Sequence, residues 1–190
     1  MNIKRGQDWA PEKPKLLQQL REFDAIMKQR PFDNAMGVRG VSALALYWFV
    51  QEVGPDAAFE AGVWKGFSTW VTQREAPQAK IFAFDPLVLL EPLLDPQKVG
   101  PTYRDQRVSY SHQDFSCANV AELATPYSRP MAFFDDHQNK LPRLLQAKNA
   151  GIKDISFDDN DAGYPTHKTL EDELRQADSV RLLDELIERY

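Results

Sequence analysis

Phe-Asp-Asp occurs twice in this chain, at Phe134-Asp135-Asp136 and at Phe157-Asp158-Asp159. Each copy closes a short, largely apolar run, "MAFF" in the first case and "IKDISF" in the second. The segment between them, "HQNKLPRLLQAKNAGIKD", reads as a turn, a helix and a second turn. That is a compact strand–helix–strand unit, which makes its two strands parallel. Neighbouring parallel strands end at the same sheet edge, so four carboxylates, His137 and Asn160 converge there. Clustered carboxylates repel unless a positive charge sits among them, and a divalent cation is the simplest candidate. His137 suits general-base work on a hydroxyl or a plain turn position, imidazole being the side chain that most readily exchanges a proton near neutral pH.

A second group of candidates precedes this one. The run "FEAGVWKGFST" carries Gly62 and Gly66 in a tight strand-to-helix turn, with Glu60 just before it. Glycine there permits positive φ and a close approach to backbone, and the free N–H groups of the next helix favour a polar ligand. The spacing is G-x-x-x-G, which fits neither the dinucleotide fingerprint nor the phosphate-binding P-loop. Lys65 in this turn reads as a solvated side chain. Asp85 ends "IFAFDP", where an acid is placed to bind two ribose hydroxyls. Asp114, in "HQDF", follows the next strand; an N-cap of the following helix would equally explain it.

These residues need a frame. Leu16, Leu17, Leu20, Phe23, Ile26 and Met27 recur at helical spacing over residues 12–29, and residues 39–53 form a more apolar helix. From residue 57 short strands alternate with helices: "AAFEAG", "FSTWVTQREA", "KIFAFD", "RVSYSH", "CANVAELAT", "MAFF" and "DISF". Residues 86–98 read as a broken helix, and residues after 160 as a loop and a helix. The expected architecture is α/β and Rossmann-like, a mostly parallel sheet of about five strands with helices on both faces and an N-terminal helical extension. One domain over 1–190 is expected, with helices at 1–55, the core at 56–160 and the C-terminal loop and helix at 161–190.

Composition narrows the function classes. Net charge is −5, which argues against a broad nucleic-acid surface. No apolar run approaches the ~20 residues that span a bilayer, and the start lacks the apolar stretch of a secretory signal. Cys117 is the only cysteine, so neither an intramolecular disulfide nor a multi-thiolate metal site is available. The expectation is a cytoplasmic protein acting on a small molecule, without nucleic-acid or membrane partners.

Taken together, "FEAGVWKGFST", "IFAFDP", "HQDF" and the two acidic strand ends resemble the class I S-adenosylmethionine-dependent methyltransferases over roughly residues 56–160. The E-x-G-x-x-x-G-x-S-T form is similar to macrocin-type O-methyltransferases, and "FFDDHQN" with "FDDN" to catechol-type ones. The resemblance implies that Glu60, Gly62, Gly66, Asp85 and Asp114 bind S-adenosylmethionine. It implies a divalent metal, Mg²⁺ foremost, on Asp136, Asp159 and Asn160; a one-residue change of register would give Asp135 and Asp158 instead. His137 would then be the catalytic base for methylation of a small-molecule or sugar hydroxyl. Two features depart from the family. "NAGIKD" replaces the usual Pro-Gly-Gly before the fifth strand, and no clear strand follows the fifth. The alternative is therefore a catalytically inactive relative that serves as a binding or assembly module, with any open sheet edge covered by a partner, a second copy in a homo-oligomer, or the C-terminal helix. A third reading is a metal-dependent hydrolase using the acidic cluster alone.

Overall fold

The computed structural model describes residues 10–34, 37–38, 40–86 and 103–158. The broken helix expected at 86–98, apart from Pro86, and the loop and helix expected after residue 160 lie outside these residues.

Two helices come first, α1 (Lys13–Met27) and α2 (Gly40–Val53). Then β1 (Ala57–Ala61), α3 (Phe67–Glu75), β2 (Lys80–Phe84) and β3 (Ser109–Ser111) follow. The last described elements are α4 (Val120–Ala124), β4 (Pro130–Phe134), α5 (Lys140–Asn149) and β5 (Asp154–Phe157). The strands form one parallel sheet in the order β3-β2-β1-β4-β5. The chain builds outward from β1 to β3, then returns to the other side of β1 with β4. That reversal opens a crevice beyond the carboxyl ends of β1 and β4, the usual ligand position in an open α/β sheet.

Side chains alternate across the strands, so the sheet feeds two cores. Ala58, Ile81, Ala83, Met131 and Phe133 face α1, α2 and α3, packing with Phe23, Tyr47, Val50, Trp70 and Val71. Ala57, Phe59, Ala61, Phe84, Ala132 and Phe134 face the other way, toward Phe115, Val120, Ala124, Ala147 and Ile152. Aromatic rings bind this second face together: Phe115 meets Phe84 edge-on at 5.5 Å and Phe134 edge-on at 5.0 Å. The Rossmann-like sheet with helices on both faces and an N-terminal helical extension is thus present as expected.

The apolar stripe of α1 is only partly covered. Leu17 and Leu20 stay exposed, and a groove of about 430 Å³ runs beside them, lined also by Leu16, Leu44 and Trp48. None of the strand-end residues lines it. Among the described residues no helix is long and apolar enough to cross a membrane.

Candidate functional site

The Phe-Asp-Asp echo is a matter of register. Phe134 and Phe157 are direct partners on β4 and β5, and their rings stack at 5.2 Å. The Asp158 N–H donates to the Phe134 carbonyl at 2.9 Å, so the two acidic ends leave the sheet side by side. Asp159 and Asn160 lie outside the described residues.

The glycine turn is pressed against this same edge. Gly62 has φ +87°, and a Cβ there would collide with the Asp135 carbonyl oxygen and lie 2.9 Å from the Asp136 nitrogen. Gly66 has φ +82°, and a Cβ there would collide with the Tyr103 carbonyl. Only glycine satisfies both the left-handed backbone and the close approach. Between them Trp64 takes φ 44°, a conformation that costs a bulky residue free energy, and it is held in place from both sides. The Asp85 carboxylate accepts from the Val63 N–H at 2.9 Å and the Trp64 N–H at 3.3 Å. The acid at the end of β2 therefore shapes the turn after β1. Gly66 is the N-cap of α3, and no side chain caps that helix.

Glu60 is buried, with 3% exposure, beneath the start of α3. Its carboxylate accepts from the Ser68 hydroxyl and from the Thr69 hydroxyl at 2.6 Å. Burial pushes its pKa up to about 7, and the two hydroxyl bonds pull only partly against that. Because the folded pKa is raised, stability is greatest below the unfolded value, near pH 4.5, and falls as pH rises through about 7. A shift of this size corresponds to about 3 kcal/mol. Glu60→Gln is expected to flatten the stability profile between pH 5 and 7.5, measured by urea unfolding at a series of pH values; a profile as steep as wild type would refute this origin. Lys65 departs from the solvated expectation: its side chain is 3% exposed and pairs with Asp33 at 3.3 Å.

Asp114 plays the capping part. It N-caps the short 3-10 turn Phe115–Cys117, accepting from the Ser116 N–H at 2.8 Å. It also meets Arg143, a residue absent from the sequence-based set. The two Arg143 terminal nitrogens donate to Asp114 at 3.0 and 2.6 Å, and Nε donates to Asp136 at 2.8 Å. Arg143 is 4% exposed and lies 5.7 Å over the Phe115 ring. Its bonds hold the Asp114 carboxyl well below the usual carboxylate range. Burial would pull the guanidinium pKa down, but Asp114 and Asp136 together push it up. His137, at φ 55°, is exposed at the mouth of the same edge.

The structure thus brings Glu60, Gly62, Gly66 and Asp85 together at the β1–β2 ends, and Asp114, Asp136 and His137 around the β3–β4 ends. As a metal ligand Asp136 fits poorly, because its carboxylate is already bound by a buried cation. No group of three or more metal-ligating side chains occurs among the described residues.

No protein-family model matches the chain, and no curated protein does. Solved structures offer distant likenesses. A cofactor-bound Rv0187 from MTB is 20% identical over 76% of this chain, with a TM-score of 0.44. An O-methyltransferase from Bacillus cereus in complex with SAH is 17% identical over 78%, with a TM-score of 0.44. The apo-structure of CmcI-N160 is 15% identical over the whole chain and covers 77% of that protein, with a TM-score of 0.49. The chain spans 62% and 64% of the length of the first two. These likenesses are too distant to say what this chain does.

Proposed function

We propose that this chain is an S-adenosylmethionine-dependent methyltransferase acting on a hydroxyl of a small molecule or sugar. One observation carries the reading: Gly62 packs directly on the Asp135–Asp136 peptide, so the glycine turn and the acidic edge share one crevice. The donor set fits the cofactor better than it fits a phosphate-rich nucleotide. Asp85 lies against the turn, and an acid there repels phosphates but suits a cationic sulfonium or ammonium group and ribose hydroxyls; Glu60, buried beneath α3, supports the turn from behind. The sequence resemblance points the same way.

When bound, the cofactor supplies a methyl group on a sulfonium sulfur. The chain's own residues then have three tasks. Gly62 and Gly66 let the turn pack on the Asp135–Asp136 peptide and on the Tyr103 carbonyl, which shapes the crevice, and Asp85 fixes the turn that receives the ligand. His137 takes the proton from the acceptor hydroxyl as the oxygen–methyl bond forms. Most of the rate would come from alignment, since an in-line displacement depends on holding the two reacting atoms close. The finer reading, in which Mg²⁺ on Asp136, Asp159 and Asn160 would acidify the hydroxyl, requires Asp136 to give up Arg143.

Calorimetric titration with S-adenosylhomocysteine tests the proposal. Saturable binding is expected, and Asp85→Asn should weaken it by about tenfold or more, the loss expected for a hydrogen bond to a charged group. No binding to the wild-type chain would leave the non-enzymatic alternative, a binding or assembly module. The uncovered Leu17 and Leu20 on α1 are the observation in its favour.

A further inference from the structure

We propose that Arg143 is the resident counter-charge of the acidic edge, standing where a divalent cation would otherwise sit and keeping one from binding through Asp136. The inference deepens the methyltransferase reading and, for its consequence on turnover, rests on it.

The geometry is that of a cation between carboxylates. One Arg143 nitrogen lies 2.6 Å from an oxygen of Asp114 and 2.6 Å from an oxygen of Asp136. Those two oxygens are therefore within twice that distance of each other. Without a cation between them they would repel strongly in a half-buried setting. The guanidinium is anchored from several sides at once. It donates to Asp114 through two nitrogens, to Asp136 through Nε, and to the Gln146 amide oxygen at 3.0 Å, and it rests on the Phe115 ring. Lys140, Arg143 and Ala147, all buried, lie on one face of α5, so the helix itself aims the charge into the edge.

A divalent ion on Asp136 would sit beside this fixed positive charge and would have to displace its strongest partner. The other oxygen of Asp136 accepts from the Gln138 N–H at 3.3 Å, and an ion approaching it would still lie close to the guanidinium held on the same carboxylate. A guanidinium cannot be deprotonated in a protein, so the blockade does not lift with pH. The consequence for chemistry is that methyl transfer by this chain proceeds without a metal held by Asp136. Activation of the acceptor then falls to the proton-accepting group and to alignment.

Mn²⁺ reports the answer directly, because its free-ion paramagnetic resonance disappears on binding. The full chain is titrated as wild type, as Arg143→Gln and as Asp136→Asn, with no cofactor present. Wild type is expected to show no saturable Mn²⁺ site, and Arg143→Gln to gain one, since two carboxylates are left facing an empty place. Saturable binding by wild type that Asp136→Asn abolishes would overturn the proposal. So would an Arg143→Gln protein that folds yet binds no Mn²⁺. Should Arg143→Gln fail to fold, Arg143→Lys, which keeps a charge but loses the fork, takes its place and is expected to bind Mn²⁺ more tightly than wild type; equal binding would count against the idea. Turnover with and without EDTA then reads the catalytic consequence. Binding of S-adenosylhomocysteine, measured separately, distinguishes a failure of the methyltransferase reading from a failure of this one.

Discussion

Gly62→Ala is expected to destabilise the protein by about 2–5 kcal/mol, a large share of the roughly 5–15 kcal/mol that holds a domain together. Two terms add. A left-handed backbone costs an alanine about 1–2 kcal/mol. The new Cβ must also push aside the Asp135 carbonyl, which is backbone and cannot rotate away as a side chain would. Overpacking of that kind typically costs a further 1–3 kcal/mol. The midpoint of thermal unfolding should fall by roughly 10 °C.

Gly40 separates the two terms. It too has positive φ, +59°, but a Cβ there meets nothing within 4 Å. Gly40→Ala should lose only the backbone term, about 1–2 kcal/mol. Equal losses at the two positions would show that the contact with Asp135 is unimportant. The larger loss at Gly62 would mean that the crevice depends on direct contact between the β1 turn and the end of β4. In that case the Gly62→Ala protein that remains folded should also lose cofactor affinity, because its turn is forced away from the acidic edge.

Most of the frame could be read from the chain. The strands announced themselves because each is short and bounded by a turn or an acid, β1, β2 and β4 are apolar runs, and alternating helices leave few ways to arrange parallel strands. The Phe-Asp-Asp echo even anticipated the register, since Phe134 and Phe157 proved to be direct partners. Gly62 and Gly66 were legible because their spacing in a strand-to-helix turn has a backbone meaning. Arg143 was not legible. In "KLPRLLQAKN" the leucines Leu141, Leu144 and Leu145 advertise the apolar stripe, yet these three are only half-buried and the face with Lys140, Arg143 and Ala147 is the buried one. A charge on a buried face pays its way only with partners, and those partners follow β3 and β4; Asp136 is seven residues away, but Asp114 is 29 away and comes beside it only through the sheet. Asp114 was ambiguous for a related reason. Its local pattern fits an N-cap, which it is, but the ion pair that fixes its protonation state is set by tertiary packing. Lys65 was misread as solvated because Asp33, its partner, sits before α2, far along the chain.

Arg143→Met should cost about 2–4 kcal/mol at pH 7, somewhat less than the 3–5 kcal/mol usual for breaking a fully buried pair. The reduction reflects Asp114, whose side chain is 33% exposed and keeps some access to water. Methionine roughly fills the space and rests on Phe115, so the loss is mainly of charge and hydrogen bonds. Its pH dependence identifies the cause. In wild type, Arg143 holds the Asp114 pKa below its ordinary value; that stability is full above the unfolded carboxylate range and disappears as pH falls through the lowered pKa. In the variant the two carboxylates face each other without a counter-charge, so protonation relieves them instead. The deficit relative to wild type should therefore shrink between pH 7 and about pH 4, near the ordinary carboxylate pKa. Urea unfolding at both pH values measures this. A packing defect alone would give the same deficit at each. The neutralised variant Asp114→Asn/Asp136→Asn on the methionine background extends the logic: with no buried charge left unpaired, much of the lost stability should return at pH 7, because replacing a whole buried ion triad is far less costly than removing its centre.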